Sequence, residues 1–70
     1  MDLKKEIGSL IAQHRKRKKI TQERLAVLAD LHEDYIGKVE RGERTPSLSS
    51  LLKIIRGLGM KYGTFFADLD

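Results

Sequence analysis

Leu3, Ile7, Leu10, Ile11 and His14 recur at the three- and four-residue spacing that lines one face of a helix. Residues 2 to 18 are therefore expected to form an amphipathic first helix. Thr21 reads as the N-cap of a short second helix over Gln22 to Ala29, with Leu25, Ala26, Leu28 and Ala29 turned inward. Asp30 and Leu31 break the pattern. A third segment, from about His32 to Arg41, puts Ile36, Val39 and Glu40 on one side and Glu33, Asp34, Gly37, Lys38 and Arg41 on the other. Gly42 is expected to end it in the left-handed conformation that costs glycine nothing. After a polar loop, Ser47 caps a fourth helix, Leu48 to about Leu58, whose core face is Leu48, Leu51, Leu52, Ile55 and Leu58, and Gly59 stops it. A last short segment, Thr64 to Asp68, carries Phe65 and Phe66. No alternating pattern suggests a strand, so the expectation is an all-α, five-helix single domain spanning residues 1–70.

Composition narrows what such a domain can do. Seventy residues bury a small core of marginal stability, so a second chain would be a welcome support. The absence of cysteine removes disulfides and thiolate zinc sites together. With 40% hydrophobic and 34% charged residues the chain is neither a disordered tail nor a membrane span. The apolar stretch from Ile7 to Ala12 is interrupted by Gly8 and Ser9 and is followed by its basic cluster, the wrong order for a signal peptide. These features lead us to expect a cytoplasmic protein.

The net charge is +4, with an isoelectric point near 9.6. Its distribution matters more than its sum. Arg15, Lys16, Arg17, Lys18 and Lys19 are consecutive, and without them nine bases face ten acids. A localised basic stripe on a small domain suits a polyanion partner, most often nucleic acid. The same run also suits a solvated helix end, whose cations favour the negative pole of the helix dipole.

Two helices joined by a three-residue turn, the second with a polar outer face, form the arrangement of helix-turn-helix DNA readers. Three blocks then occur in order: Thr21-Gln22-Glu23-Arg24-Leu25-Ala26, Tyr35-Ile36-Gly37-Lys38-Val39-Glu40-Arg41-Gly42 and Thr45-Pro46-Ser47-Leu48. Across roughly residues 7 to 66 the chain resembles the lambda repressor/Cro-like (XRE) helix-turn-helix family. It is most similar to small stand-alone regulators such as the controller proteins of restriction-modification systems. Phage repressors and antitoxin-type autoregulators share the pattern.

Gln22 sits in the first turn of the second helix, where unpaired amides and the positive dipole end attract a phosphate. The plainer reading is an exposed helix-starting glutamine. Arg41 and Arg44 flank Gly42 and are placed to grip the backbone across the groove, or else belong to a solvated loop. Glu33, Asp34, Gly37 and Lys38 are the candidate readers on the third helix, and an ammonium at Lys38 can donate to guanine O6 and N7. By family position Tyr35 reaches a phosphate or a thymine methyl, or its ring packs beside Ile36. Glu33 and Asp34 repel phosphates. One of them can accept from cytosine N4, yet acids in a first helical turn are also stabilised by the dipole, and Asp30-x-x-Glu33 has the form of a capping box that competes with His32 for the N-cap. Thr21 and His32, at the starts of the two helices, complete the DNA-facing set together with Arg17, the member of the basic run nearest the expected phosphates. The resemblance assigns Arg15 differently, to a structural ion pair with Glu40. Lys18 and Lys19 stand where the family often has glycine at the end of the first helix.

An enzyme needs convergent titratable groups, and the chain offers only His14 and His32 as histidines, with no glycine-rich phosphate loop. The expectation is no enzyme, no cofactor and no metal. A protein-interaction module on the same fold is the rival reading, favoured by Glu33 and Asp34 and opposed by the basic run. Because one recognition helix covers few base pairs, a twofold homodimer on double-stranded operator or promoter DNA is expected. Its interface should be the C-terminal helices, through Met60, Tyr62, Phe65, Phe66 and Leu69. The whole reads as an autoregulatory transcriptional regulator, repressor or activator, of bacterial or phage origin. RNA polymerase is a candidate further partner.

Overall fold

The computed structural model describes residues 2–69. Its elements are α1 (Leu3–Arg17), α2 (Gln22–Ala29), α3 (Glu33–Glu40), α4 (Leu48–Gly57) and α5 (Tyr62–Ala67). Five helices and no strand make up the described residues, as the periodicity predicts. α5 begins two residues earlier than expected.

Local chemistry fixes the helix starts. Asp2, Thr21, His32 and Ser47 are in extended conformation, and each side chain accepts a backbone N–H from the first turn it precedes. The Thr21 hydroxyl takes Arg24 N at 3.0 Å, and Ser47 Oγ takes Ser50 N at 3.1 Å. For α3 the cap is His32, whose Nδ1 accepts Asp34 N at 3.1 Å. The Asp30-x-x-Glu33 capping box does not form, because Asp30 is spent in closing α2. It adopts the left-handed conformation (φ 56°), which an aspartate tolerates and which turns the chain sharply between α2 and α3. Gly42 (φ 75°) ends α3 as expected. At the end of α1 the left-handed position falls on Lys19 (φ 60°), while Lys18 Nζ donates to Leu58 O at 3.2 Å and ties this corner to the end of α4.

The core joins Ile7 and Ile11 of α1, Leu25, Ala26 and Ala29 of α2, Ile36 and Val39 of α3, Leu51, Ile54 and Ile55 of α4, Leu58 at its end and Phe65 of α5. α2 packs on α4, and α3 packs on both α1 and α2. Several expected core positions lie outside it. Leu48 is 70% exposed because the buried stripe of α4 runs through 51, 54, 55 and 58, which brings in Ile54 and turns the first residue of the helix to solvent. Leu28 and Leu3 are also exposed, the former beyond the α2 edge that meets α4 and the latter at the free start of α1. His14 lies at the edge of the core, its Nε2 3.1 Å from Asp68 Oδ2 and its ring 5.9 Å from that of Phe65.

Two features hold α1 against α3. At Gly8 a Cβ would collide with Val39 O and stand 2.8 Å from Glu40 O, so the missing side chain lets the backbones meet. Beside that contact, Arg15 Nε donates to Glu40 Oε2 at 2.7 Å and Arg15 Nη2 to Glu40 Oε1 at 3.1 Å, while Arg15 Nη1 reaches Ile20 O at 2.9 Å. The two side chains are 12% and 5% exposed, so the ion pair implied by the family resemblance is present and nearly dry.

Gly8→Ala should destabilise the domain in thermal or urea unfolding. Overpacking costs about 1–3 kcal/mol, which exceeds the roughly 1 kcal/mol that alanine gains in helix propensity. Arg15→Ala strands a buried carboxylate and should cost roughly 3–5 kcal/mol, whereas Arg17→Ala, on the exposed end of the same helix, should change stability by less than about 0.5 kcal/mol.

Candidate nucleic-acid interface

α3 presents an exposed flank beside the start of α2. Glu33 and Asp34 occupy its first turn and Lys38 its last, all three open to solvent. Gly37, expected among them, is buried. A Cβ there would stand 3.0 Å from Arg41 Nη1 and 3.4 Å from Gln22 Oε1, so Gly37 forms a notch over which those two side chains lie. It offers no reading group and works by making room.

Gln22, the first residue of α2, is half-buried, and its Nε2 donates to Glu40 Oε1 at 3.0 Å. This is more structure than an exposed helix-starting glutamine would have. The Thr21 hydroxyl is used as a cap and the His32 ring as another, although both residues remain exposed at the two helix starts.

At the other end of α3, Arg41 Nε donates to Glu43 Oε2 at 2.6 Å, with both side chains more than half exposed. The hydrogen bond from Arg41, with its charge, holds the Glu43 carboxyl below the usual glutamate range, and the same pairing raises Arg41 above its ordinary value. Arg41 is therefore present as an exposed ion pair with Glu43. The Arg44 guanidinium carbon sits 5.2 Å from the centre of the Tyr35 ring, a cation–π contact. The Tyr35 hydroxyl accepts Ser47 N at 3.3 Å, and its ring packs partly against the core. The packing reading of Tyr35 is thus met in a half-buried side chain whose hydroxyl and outer ring face are taken by Ser47 and Arg44.

The basic run divides. Arg15 is committed to Glu40 and Lys18 to Leu58 O, which leaves Lys16, Arg17 and Lys19 exposed around the end of α1.

Of the expected interface residues, Phe65 is fully buried in the core and is withdrawn from that role. α5 turns Phe65 into the core and leaves Phe66 at the surface, and the two rings meet edge to face at 5.7 Å. Tyr62 and Phe66 are exposed, and Met60 and Leu69 are partly buried against the core. A shallow cleft lies elsewhere, lined by Leu28, Ala29, Asp30, Lys53 and Arg56, and it contains none of the candidate residues. Among the described residues, no helix is long and apolar enough to cross a membrane, and no three His, Cys, Asp or Glu side chains gather where a metal could be held. The Gly8 and Gly37 notches and the Arg41–Glu43 pair are the parts that sequence reasoning missed. Only the short i to i+2 spacing of Arg41 and Glu43 could have signalled the last.

The geometry agrees with known proteins. Residues 11–65 match the helix-turn-helix family model. The chain is 36% identical over 70 residues to the control protein C.MunI of a Mycoplasma species, covering 99% of this chain and 95% of that one. It is 38% identical over 58 residues to the control protein C.SmaI of Serratia marcescens, covering 83% and 69%. The restriction-modification controller protein C.Esp1396I, solved as a tetramer in complex with its natural 35 base-pair operator, superposes with a TM-score of 0.94 at 33% identity, covering 99% of this chain and 91% of that one. The chain thus belongs to the XRE-type helix-turn-helix family of DNA-binding regulators and, within it, is similar to the restriction-modification controller proteins.

Proposed function

We propose that the protein is a sequence-specific transcriptional regulator that binds a palindromic operator as a homodimer and acts on its own promoter. The observation that carries this reading is the exposed flank of α3, bounded on one side by the amino end of α2 with Gln22 and on the other by Arg41 and Arg44. A phosphate on either side of a major groove would meet a donor there, and the groove floor would meet Lys38, Glu33 and Asp34. The operator-bound controller relative supports DNA binding by this fold. Lys38 reads guanine, and Arg17, Gln22, Arg41 and Arg44 hold the backbone. Thr21 and His32 present the two helix starts to it, with Tyr35 at the edge. Glu33 and Asp34 either accept from cytosine or serve the start of α3.

The dimer is supported by the apolar side chains that the core leaves exposed or only partly covered at the carboxyl end. Met60, Tyr62, Phe66 and Leu69 form the proposed interface. Twofold symmetry would then set two α3 helices about one turn of DNA apart, roughly 34–36 Å.

Footprinting on the DNA upstream of the protein's own gene tests the proposal directly, and protection of two symmetric half-sites is expected. Lys38→Ala should relax base preference at one position of each half-site, at a cost of order 1 kcal/mol, while Arg41→Ala weakens binding to all sequences alike. An unchanged preference profile in Lys38→Ala would remove α3 from the groove. Glu33→Gln separates the two roles of that acid, since only base readout changes the preference. Sedimentation at high micromolar concentration should give a dimer, converted to monomer by Phe66→Asp. A monomeric wild type would end the dimer proposal.

The Arg41–Glu43 pair gives a prediction with a definite sign. Glu43→Gln frees the guanidinium and removes a negative charge facing the DNA, so affinity should rise, by up to about fivefold for an exposed pair. Because the Glu43 value is depressed, its pairing with Arg41 is intact above the ordinary glutamate range and is lost as pH falls through the depressed value. In Arg41→Ala, a carboxyl titration followed by NMR should return Glu43 to the ordinary range.

A further inference from the structure

We infer that Glu40 is a positioning residue for DNA contact, acting through Gln22 without touching DNA itself. The inference rests on the proposed contact between Gln22 and phosphate, and it gives the Arg15–Glu40 pair a second role beyond joining α1 to α3.

The Glu40 carboxylate has no freedom to turn. Its Oε2 accepts Arg15 Nε at 2.7 Å, its Oε1 accepts Arg15 Nη2 at 3.1 Å, and the guanidinium is pinned at its far side by Ile20 O at 2.9 Å. The same Oε1 accepts Gln22 Nε2 at 3.0 Å. A glutamine amide on its own rotates readily about its last bond, so its nitrogen and oxygen ends exchange places. Here they cannot. A carboxylate only accepts, and an exchanged amide would set Gln22 Oε1 against Glu40 Oε1, two acceptors in hydrogen-bond contact with no proton between them.

The held orientation is the one that suits a phosphate. One Nε2 hydrogen goes to Glu40 and the second remains as a donor at the amino end of α2. Gln22 Oε1, the end that would repel an anion, lies over the Gly37 notch, 3.4 Å from where a Cβ would stand. Arg15 meanwhile neutralises the Glu40 charge, so the carboxylate orients the donor without setting a net negative charge beneath the DNA backbone. Glu40→Gln lifts this restriction, because an amide at position 40 accepts either orientation of Gln22. It also removes the charge and one of the two oxygens that Arg15 uses, so its effect on binding is read only against its effect on the fold.

The test is a double-mutant cycle with Gln22→Ala, Glu40→Gln and the pair. Binding is read by anisotropy on a labelled duplex of mixed sequence at low salt, since phosphate contacts are independent of sequence. Each variant is first shown by circular dichroism to be folded at the temperature used. Gln22→Ala should weaken binding roughly fivefold, the worth of one net hydrogen bond. Glu40→Gln should also weaken binding, and the double variant should bind no worse than Gln22→Ala alone. Equal losses from Glu40→Gln in both backgrounds would show that Glu40 acts on the fold alone, overturning the inference while leaving the Gln22 contact standing. Wild-type affinity in Gln22→Ala would instead remove the contact itself. Should Glu40→Gln not fold, the wild-type protein decides: on adding the duplex, one of the two Gln22 side-chain amide proton resonances should shift while the one bonded to Glu40 stays. Movement of both, or of neither, overturns the inference.

Discussion

A single buried carboxylate sets the terms for this domain. Glu40 closes α3, and its two oxygens gather the guanidinium of Arg15 from α1 and the amide of Gln22 from the first residue of α2. Left unpaired at 5% exposure, the charge would cost several kcal/mol, a large part of the stability available to seventy residues. The backbone must therefore bring the end of α1 and the start of α2 to the end of α3, and Gly8 makes the first approach possible by omitting a Cβ where Val39 and Glu40 present their carbonyls. The ion pair, being directional and nearly dry, adds to the apolar packing and the Gly8 contact in fixing the register of α1 against α3.

Short helices give the same constraint its reach. With α2 and α3 each eight residues long, a large share of their backbone donors lies in a first turn, and a side-chain cap satisfies one of them in each helix. Thr21 and His32 serve as caps and stand at the exposed surface, so the groups that stabilise the two helices also define where their positive ends point. Asp30 in the left-handed conformation then fixes the angle between them. The proposed recognition surface is in this sense a by-product of helix termination, and its geometry depends on three residues of turn.

The fold was largely readable because capping residues and a 3.6-residue period are local signals. Thr21, Ser47, Gly42 and the limits of α2 were legible for that reason. What escaped depends on which helix meets which. Leu48, Leu28 and Leu3 fit the apolar pattern of their own helices, but only packing decides that the α4 stripe passes through Ile54 or that α2 shows Leu28 to solvent. Phe65 and Phe66 are indistinguishable by composition, and the arrival of α5 beside His14 buries one of them. Gly37 read as a polar-face residue because a glycine in sequence does not reveal what lies above it, here Gln22 and Arg41. The Arg15–Glu40 pair was visible only through the family resemblance, since twenty-five residues separate its members.

Charge is where sequence and structure differ most in meaning. A net +4 concentrated in five consecutive bases suggests bulk attraction to a polyanion, yet the structure commits Arg15 to a carboxylate, Lys18 to a carbonyl, Arg41 to Glu43 and Arg44 to an aromatic face. Three of these partners sit within or beside the α3 unit itself. A cation already held in place loses less side-chain entropy on meeting a phosphate than a free one, but it must surrender or share its present partner. On the proposed function, that exchange is favourable only where a phosphate arrives at the position the partner has fixed. Non-specific attraction is thereby weakened more than the docked complex. On that proposal, with acids in the first turn of α3, the local pairing of the cations would favour one register on DNA over diffuse binding along it.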